Sequence, residues 1–495
     1  MESKQDLIKQ RVKIDVINNE YESYLDKEVV VCGWISTARW QKKRIFVKLS
    51  DSAKSKLSPL QILFQTKDSD ITNGLDTAEY DVLSKAVRGM SLVIKGLVVK
   101  SPAPGQKIEL IGRQYYVLGY IDDPSGYPLD KDNLTCTALR NLDHLECHTS
   151  LKGSIYTIRS SLMTATEQFF AKEGYQKVDM PLITFSECEG GCQPMQATLL
   201  LTSGKITDIP TVKGKPDVDF SKDFFGAKAS LTVSAQLELE TQLPLGDVWT
   251  VTRAIRGEPS ATSRHLCEFS MIEIEKAFSE SANDIMEISE RYIKYCIKHV
   301  LDNNKLELEF LDKTFGKTTM ANLIKYMDLP FVRLTHVDAV KLLQEQRDKF
   351  VFPPLFTDDL KSEHEQWLVN EKFKQPIFIT RYPKNVKAFY MPVIAETLEE
   401  SCGVEHVDNF DILVPEVGEL VGGSQRIHDI TELCARITEL GLDMKPLESY
   451  VDLRRKGSIP HGGMGLGFER LVKFVIGADG VKDCVAFPKF IGCGK

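Results

Sequence analysis

Between residues 28 and 120, apolar and β-branched side chains gather into five short runs, EVVVCGWIS, RIFVKLSD, LQILFQ, SLVIKGLVVKS and KIELIGRQYYVLGY, with glycine and proline between some of them. Several short strands spaced in this way predict a small Greek-key barrel of the OB type. Side-chain alternation assigns the faces. In RIFVKLSD, Ile45, Val47 and Leu49 turn one way and Arg44, Phe46 and Lys48 the other; in LQILFQ, Leu60, Ile62 and Phe64 turn inward and Gln61 and Gln65 outward. One aromatic ring is therefore displayed among cations, within a segment, RWQKKRIFVK (39–48), that carries five basic residues in ten and lies between strand candidates.

Downstream the period changes. SIYTIRSSLMTATEQFFAKEGY spaces its apolar residues as a helix does, and Gly174 supplies a stop. DVWTVTRAI is rich in β-branched and aromatic residues and LCEFSMIEIEKAF alternates, so the polar stretch joining them reads as the tip of a long antiparallel hairpin. Near the C-terminus Leu471, Val472, Val475 and Ile476 recur at helical spacing until Gly477, which places Arg470 in the first turn of an amphipathic helix, against the helix dipole. Residues 202–230 are polar, with proline and glycine, and read as a mobile excursion. The expected class is α+β: an extension (1–23) without an assignable role, an OB-fold barrel (24–120), a hinge (121–150), and a domain (151–495) built on a mixed, mostly antiparallel sheet flanked by helices.

Composition narrows the classes. A chain of 495 residues is too long for one ordinary domain, and no apolar run approaches membrane length. The opening MESKQDLIKQRVKID has neither a signal-peptide core nor the acid-poor character of a transit peptide, so a cytoplasmic setting is expected. Eleven cysteines are scattered, and Cys188 and Cys192 lack a second pair at zinc-site spacing; free thiols are expected. The formal charge of −8 excludes a generally basic coat, so any RNA contact must come from local patches. Phe46, its flanking cations and Gln61 suit single-stranded RNA, although an exposed phenylalanine beside a solvated basic loop has the same pattern.

The candidate chemistry lies in two segments. RGEPSATSRHLCEF (256–269) puts two arginines, a histidine and an aromatic ring around a small polar tip. A guanidinium forks onto phosphate oxygens and a flat ring stacks on a purine, which suits ATP. IPHGGMGLGFERLVKFVIG brings Gly462, Gly463, Gly465 and Gly467 up to Glu469 and Arg470, and glycines let backbone approach a ligand. A P-loop and a Rossmann unit are both excluded, by the lack of GK[ST] and of a βαβ unit with a suitably placed acid.

Together these segments resemble motifs 2 and 3 of the class II aminoacyl-tRNA synthetases, and GYQKVDMPLITFS, with Pro181, resembles motif 1, which in that family builds the dimer interface. SKDFFGAKASLTVSAQLELE, TSRHLCEF, YPKNVKAFYM, DILVPEVGELVGGSQR and DLRRKGSIPHGGMGLGFER are, in that order, similar to the aspartyl/asparaginyl subgroup and most of all to its asparaginyl members. The resemblance implies a homodimer that activates L-asparagine with ATP and Mg²⁺ and transfers it to tRNA(Asn). It also implies roles. Arg256 clamps the α-phosphate and the substrate carboxylate, Arg470 with Arg264 and His265 binds the γ-phosphate end, Phe269 stacks on adenine with Arg470 over its other face, and Gly467 borders ATP. Glu258 contacts adenine or the tRNA end, Asp411 and Glu419 hold the metal, Glu189 and Gln236 receive the α-ammonium, and Arg426 receives the side-chain carbonyl. Phe46 and Gln61 take the central anticodon base, a uracil.

The aspartyl enzymes carry a lysine where this chain has Leu239, which favours asparagine on charge grounds. The chain departs from the family in writing IRGEP for FRAEN and in its lid segment CEGGCQPMQAT. The alternatives left open are an aspartyl enzyme, an ATP-dependent asparagine-forming relative, and a non-catalytic RNA-binding paralogue.

Overall fold

In the computed structural model, which describes residues 2–41, 43–67, 74–129, 134–185, 194–257, 262–396 and 401–494, the five N-terminal runs are strands. β1 (Glu28–Gln41), β2 (Arg44–Ser50), β3 (Leu60–Gln65), β4 (Ser91–Lys100) and β5 (Ile108–Gly119) close a barrel in the order β1-β2-β3-β5-β4. The facing is as the alternation requires: Ile45, Val47, Leu49, Ile62 and Phe64 are fully buried in the barrel core, and Phe46 is part-exposed on the outside. β1 is longer than its apolar run. It continues through Arg39 and Trp40, pairing Gln41 with Arg44, so the basic segment sits on two paired strands rather than between them.

The N-terminal extension is part of this unit. Two short helices, Lys4–Lys9 and Ile14–Asn19, carry Leu7, Ile14 and Ile17, all fully buried. Leu7 joins Val30 and Val93, which alternation turns out of the barrel, and so gives their outer face an apolar cover. Ile14 and Ile17 join the barrel core, and the Val12 amide donates to the Val30 carbonyl at 2.8 Å.

The chain divides into two compact units, 1–158 with 306–314, and 159–305 with 315–495. In the second, β6 (Gln176–Lys177), β9 (Val248–Ile255), β10 (Glu268–Ala277), β11 (Val332–Thr335), β12 (Ile377–Thr380), β13 (Asn409–Val414), β14 (Gly418–Gln425) and β15 (His461–Gly467) form one sheet in the order β11-β12-β13-β14-β15-β10-β9-β6. Its pairings are antiparallel except at the ends, where β11 pairs with β12 and β6 with β9 in parallel. β7 (Ile183–Thr184) and β8 (Ser230–Leu231) make a separate ribbon. Helices Ala282–Asn303 and Phe468–Ile476 bury apolar faces, the second stopping at left-handed Gly477. Residues 202–229 hold short 3₁₀ turns and an isolated bridge between Thr211 and Val218, and are largely exposed. Among the described residues no helix is long and apolar enough to cross a membrane.

The glycines of HGGMGLG lie inside a central strand. A Cβ on Gly463 would stand 2.2 Å from the Glu275 carboxylate on neighbouring β10, so this glycine makes room for a buried acid as well as for backbone pairing.

Candidate active site

β9, β10, β14 and β15 lie side by side in the sheet, and a cavity of about 750 Å³ is lined from β10, β13, β14 and β15, from Arg256 just beyond β9, and from the 385–391 segment. Arg256, just beyond β9, reaches the Val233 carbonyl through Nη2 at 3.3 Å and lies over the Phe269 ring with Cζ 5.4 Å from its centroid. Arg470 enters from the first turn of its helix, as its sequence position requires, and Nη1 donates to the Glu419 carbonyl at 2.8 Å and carboxylate at 3.1 Å. Its recorded partner is thus Glu419, and the cation recorded over Phe269 is Arg256. Arg264 is held by the Glu365 carboxylate at 2.8 Å and by the Ser362 hydroxyl, while its buried Nε–H has no hydrogen-bond partner among the described residues. His265 meets the Thr262 hydroxyl through Nδ1 at 2.6 Å. Gly467 also lines the cavity. Glu258 and Glu189 fall outside the described residues, as do Cys188, Cys192 and most of the lid segment.

Asp411 and Glu419 converge. A Cβ built on Gly422, between them, would lie 3.4 Å from Asp411 Oδ1 and 3.6 Å from Glu419 Oε1. Burial raises the Asp411 carboxyl to about 6, against the pull of Lys387, whose Nζ stands 2.9 Å away, and with the repulsion of Glu419 added. Burial would raise Glu419 as well, but Arg470 and Lys387 hold it below the ordinary carboxylate range. Two hard oxygen donors meeting over a residue without a side chain, on the wall of a cavity also lined by Arg256, Arg264 and Arg470, fit a magnesium ion that shares its shell with an anionic ligand.

The other end of the cavity is lined by Gln236, Glu275 and Arg426. Arg426 is 3% exposed and bidentate on Glu275, at 2.6 Å from Nη2 and 3.3 Å from Nε, with Nη1 on the Ser424 hydroxyl at 2.6 Å. Burial and the neighbouring Glu240 push Glu275 up to about 7, while Arg426 opposes the shift. Gln236 gives its side-chain N–H to Glu240, one helical turn on, at 3.1 Å. Glu240, Glu275 and His461 bring one ligand atom each within 4.8 Å of one another. The guanidiniums of Arg454 and Arg426 occupy these two carboxylates, which are sealed from solvent, whereas Glu419 keeps 41% of its side chain exposed; the cluster is an ion-pair network rather than a metal cage. Leu239 does not line the cavity; it is sealed in an apolar cluster with Leu243, Val248 and Ala277.

On the barrel, Phe46 pairs across the sheet with Leu63 and Arg39, and Gln61 with Lys48, so ring and amide are diagonal neighbours on the outer face. The Gln61 amide donates to Glu109 at 3.1 Å.

Lys387, Glu365, Glu275 and Glu240 were not singled out from the sequence. YPKNVKAFYM had marked the neighbourhood of Lys387, and LELE and IEIE contain Glu240 and Glu275, but nothing local separates these acids from the other aspartates and glutamates, 70 in all.

Residues 138–491 match the family described as tRNA synthetases class II (D, K and N). The chain is 37% identical over 479 residues to the asparagine–tRNA ligase of Treponema denticola, covering 96% of this chain and 97% of that one. It is 38% identical over 466 residues to the asparagine–tRNA ligase of Synechocystis, covering 94% and 95% respectively. Among solved structures, asparaginyl-tRNA synthetase from Pyrococcus horikoshii complexed with asparaginyl-adenylate superposes with a TM-score of 0.81 at 29% identity, over 97% of this chain and 98% of that one. With motif residues Arg256, Phe269 and Arg470 meeting in one cavity on an antiparallel sheet, and a match of this extent, the chain belongs to the class II tRNA synthetases of the aspartate, lysine and asparagine group.

Proposed function

We infer that this chain activates L-asparagine with ATP to asparaginyl-adenylate and transfers it to the 3′ end of tRNA(Asn). The observation that carries the choice of amino acid is the Arg426–Glu275 pair. An arginine already clamped by a carboxylate at 2.6 Å offers donors to a side-chain carbonyl while the acid accepts from an amide N–H. A substrate carboxylate would meet that acid in a buried setting, where like charges in contact cost several kcal/mol, about the discrimination asparagine needs. Leu239 is buried away from the cavity, so the choice expected from its missing charge falls instead to Glu275, which supplies the repulsion.

In the first step the asparagine carboxylate, ionised at pH 7, forms a bond to the α-phosphorus as the bond to pyrophosphate breaks. No general base is required, so the residues position and neutralise. Arg256 holds the α-phosphate and the attacking carboxylate, Arg264, His265 and Arg470 take the γ-phosphate end, and Phe269 stacks on adenine. Nucleotide binding draws Arg470 off Glu419 and frees that acid for the metal. Gln236 and Glu189 receive the α-ammonium. Asp411 and Glu419 would hold Mg²⁺, which supplies charge neutralisation to the phosphates when bound. In the second step the terminal ribose hydroxyl attacks the acyl carbon, its proton passes to a phosphate oxygen, and AMP leaves, with Glu258 near the adenine or the tRNA end.

We assign the barrel, residues 24–120, to the anticodon: Phe46 stacks on the central base, and Gln61, whose N–H is taken by Glu109, presents its carbonyl to the uracil N–H. The hinge is 121–150 and the catalytic domain 151–495, pairing through the motif 1 region near Pro181 in a cytoplasmic homodimer. Charging assays with labelled asparagine on tRNA(Asn) and tRNA(Asp) transcripts test the reading. Incorporation into tRNA(Asn) alone is expected, and equal incorporation into both would overturn the anticodon assignment.

A further inference from the structure

Glu240 does not line the cavity, yet it is bonded to the amino-acid end from several sides. It is fully buried on the short helix Gln236–Glu240. Oε1 accepts from the Gln236 amide at 3.1 Å and from the Tyr450 phenol at 3.0 Å. Oε2 accepts from Arg454 at 2.8 Å and meets His461 Nε2 at 2.9 Å, and Arg426 Nε stands 3.8 Å from Oε1. These partners hold the carboxylate ionised despite its burial, so it accepts and cannot donate.

Two consequences follow. An acceptor-only neighbour settles which way the Gln236 amide faces: its NH₂ is turned to Glu240, which leaves its carbonyl for the cavity. A carbonyl there accepts from an ammonium, whereas an NH₂ would repel it. Glu240 also sets the charge below the cavity. Arg426 and Arg454 bring two positive charges to this network, and Glu240 and Glu275 are the acids that answer them. Without Glu240, one guanidinium is left to welcome a second carboxylate.

We propose that Glu240 is the positioning residue of the amino-acid subsite, fixing the Gln236 carbonyl toward the α-ammonium and balancing Arg426 so that a side-chain carboxylate is refused. The proposal rests on the reading of asparagine as substrate. ATP–pyrophosphate exchange, followed with asparagine and with aspartate for the parent enzyme and two variants, tests it. Glu240→Gln keeps the shape, removes the charge and can present a donor to Gln236. It should raise the Michaelis constant for asparagine about 10- to 100-fold, the range of one hydrogen bond to a charged group, with kcat within about 3-fold and the ATP constant unmoved. It should also lower the asparagine-over-aspartate preference at least tenfold.

Glu240→Asp keeps the charge and loses the reach to Gln236. It should raise the asparagine constant by about tenfold while holding the preference, and it gives the answer if the glutamine variant does not fold. A purely structural role would move kcat, both amino acids and ATP together, and that result, or an unchanged asparagine constant in either variant, would overturn the proposal. Failure of the parent enzyme to exchange with asparagine would instead overturn the substrate reading beneath it.

Discussion

Two glutamine–glutamate pairs serve this chain, and the contrast between them separates orienting from discriminating. Gln236 gives its N–H to Glu240 and Gln61 gives its N–H to Glu109, each at 3.1 Å, so each glutamine keeps a carbonyl to offer. Glu240 is answered by Arg454, His461 and Tyr450, with Arg426 close by. Glu109, 5% exposed on β5, has the Ser101 hydroxyl at 3.5 Å as its other recorded bond. On the reading proposed here, the barrel reads an uncharged base edge, for which an oriented amide beside a stacking ring suffices. The catalytic cavity must tell an amide from a carboxylate of nearly the same shape, and only buried, balanced charge does that strongly.

Removing the phosphate clamp breaks the catalytic half most completely. Arg256→Ala should lower pyrophosphate exchange by about 10³-fold or more, the scale of losing a preorganised donor at developing charge, with the thermal unfolding midpoint unmoved. Loss appearing only once tRNA is added would remove Arg256 from the ATP site. Next in size is Arg426→Ala. It should raise the asparagine Michaelis constant by about 2 to 5 kcal/mol as a truncated buried ion pair does, and an unchanged constant would take Arg426 out of the pocket.

The barrel responds differently. Phe46→Ala should raise the tRNA concentration needed for charging by about 1 to 3 kcal/mol of lost stacking, leaving tRNA-free exchange near the parent rate. A parallel fall in exchange would mean damaged folding and would withdraw the anticodon assignment. Acidity sharpens the contrast from the other side. With Glu275 raised to about 7 by burial, lowering the pH from 8 to 6 adds a proton to it and cancels the charge that repels a second carboxylate. Aspartate use relative to asparagine should rise several-fold over that interval, whereas a flat ratio would assign the repulsion elsewhere. Smallest should be Glu109→Gln, a change of about 1 kcal/mol in tRNA recognition from a less firmly oriented Gln61.

The barrel strands and the motif hairpin were legible because each is written in one stretch: alternation marks Ile45, Val47 and Leu49, and β9 and β10 flank their own polar tip. Arg470 was legible because helix spacing and the Gly477 stop bracket it. The support beneath the site was not. Glu240 meets Arg454 across 214 residues and Arg426 meets Glu275 across 151, so no window of sequence contains both partners. Arg264 meets Glu365 across 101 residues, and Lys387 meets Asp411 across 24, which is still beyond the reach of helix or strand periodicity. The N-terminal helices passed as a charged extension because Leu7, Ile14 and Ile17 are few among polar neighbours, and only the outer faces of Val30 and Val93 show what needed covering.

ATP–pyrophosphate exchange by the unmodified enzyme, with asparagine and aspartate side by side at pH 8 and without tRNA, tests most directly the claim that buried charge around Arg426 chooses the amide. Exchange should be supported by asparagine, with aspartate lower in kcat/KM by a factor on the order of 10³ to 10⁴. Equal exchange with both amino acids would contradict the claim and leave Glu275 and Glu240 as structural acids beneath an unselective arginine.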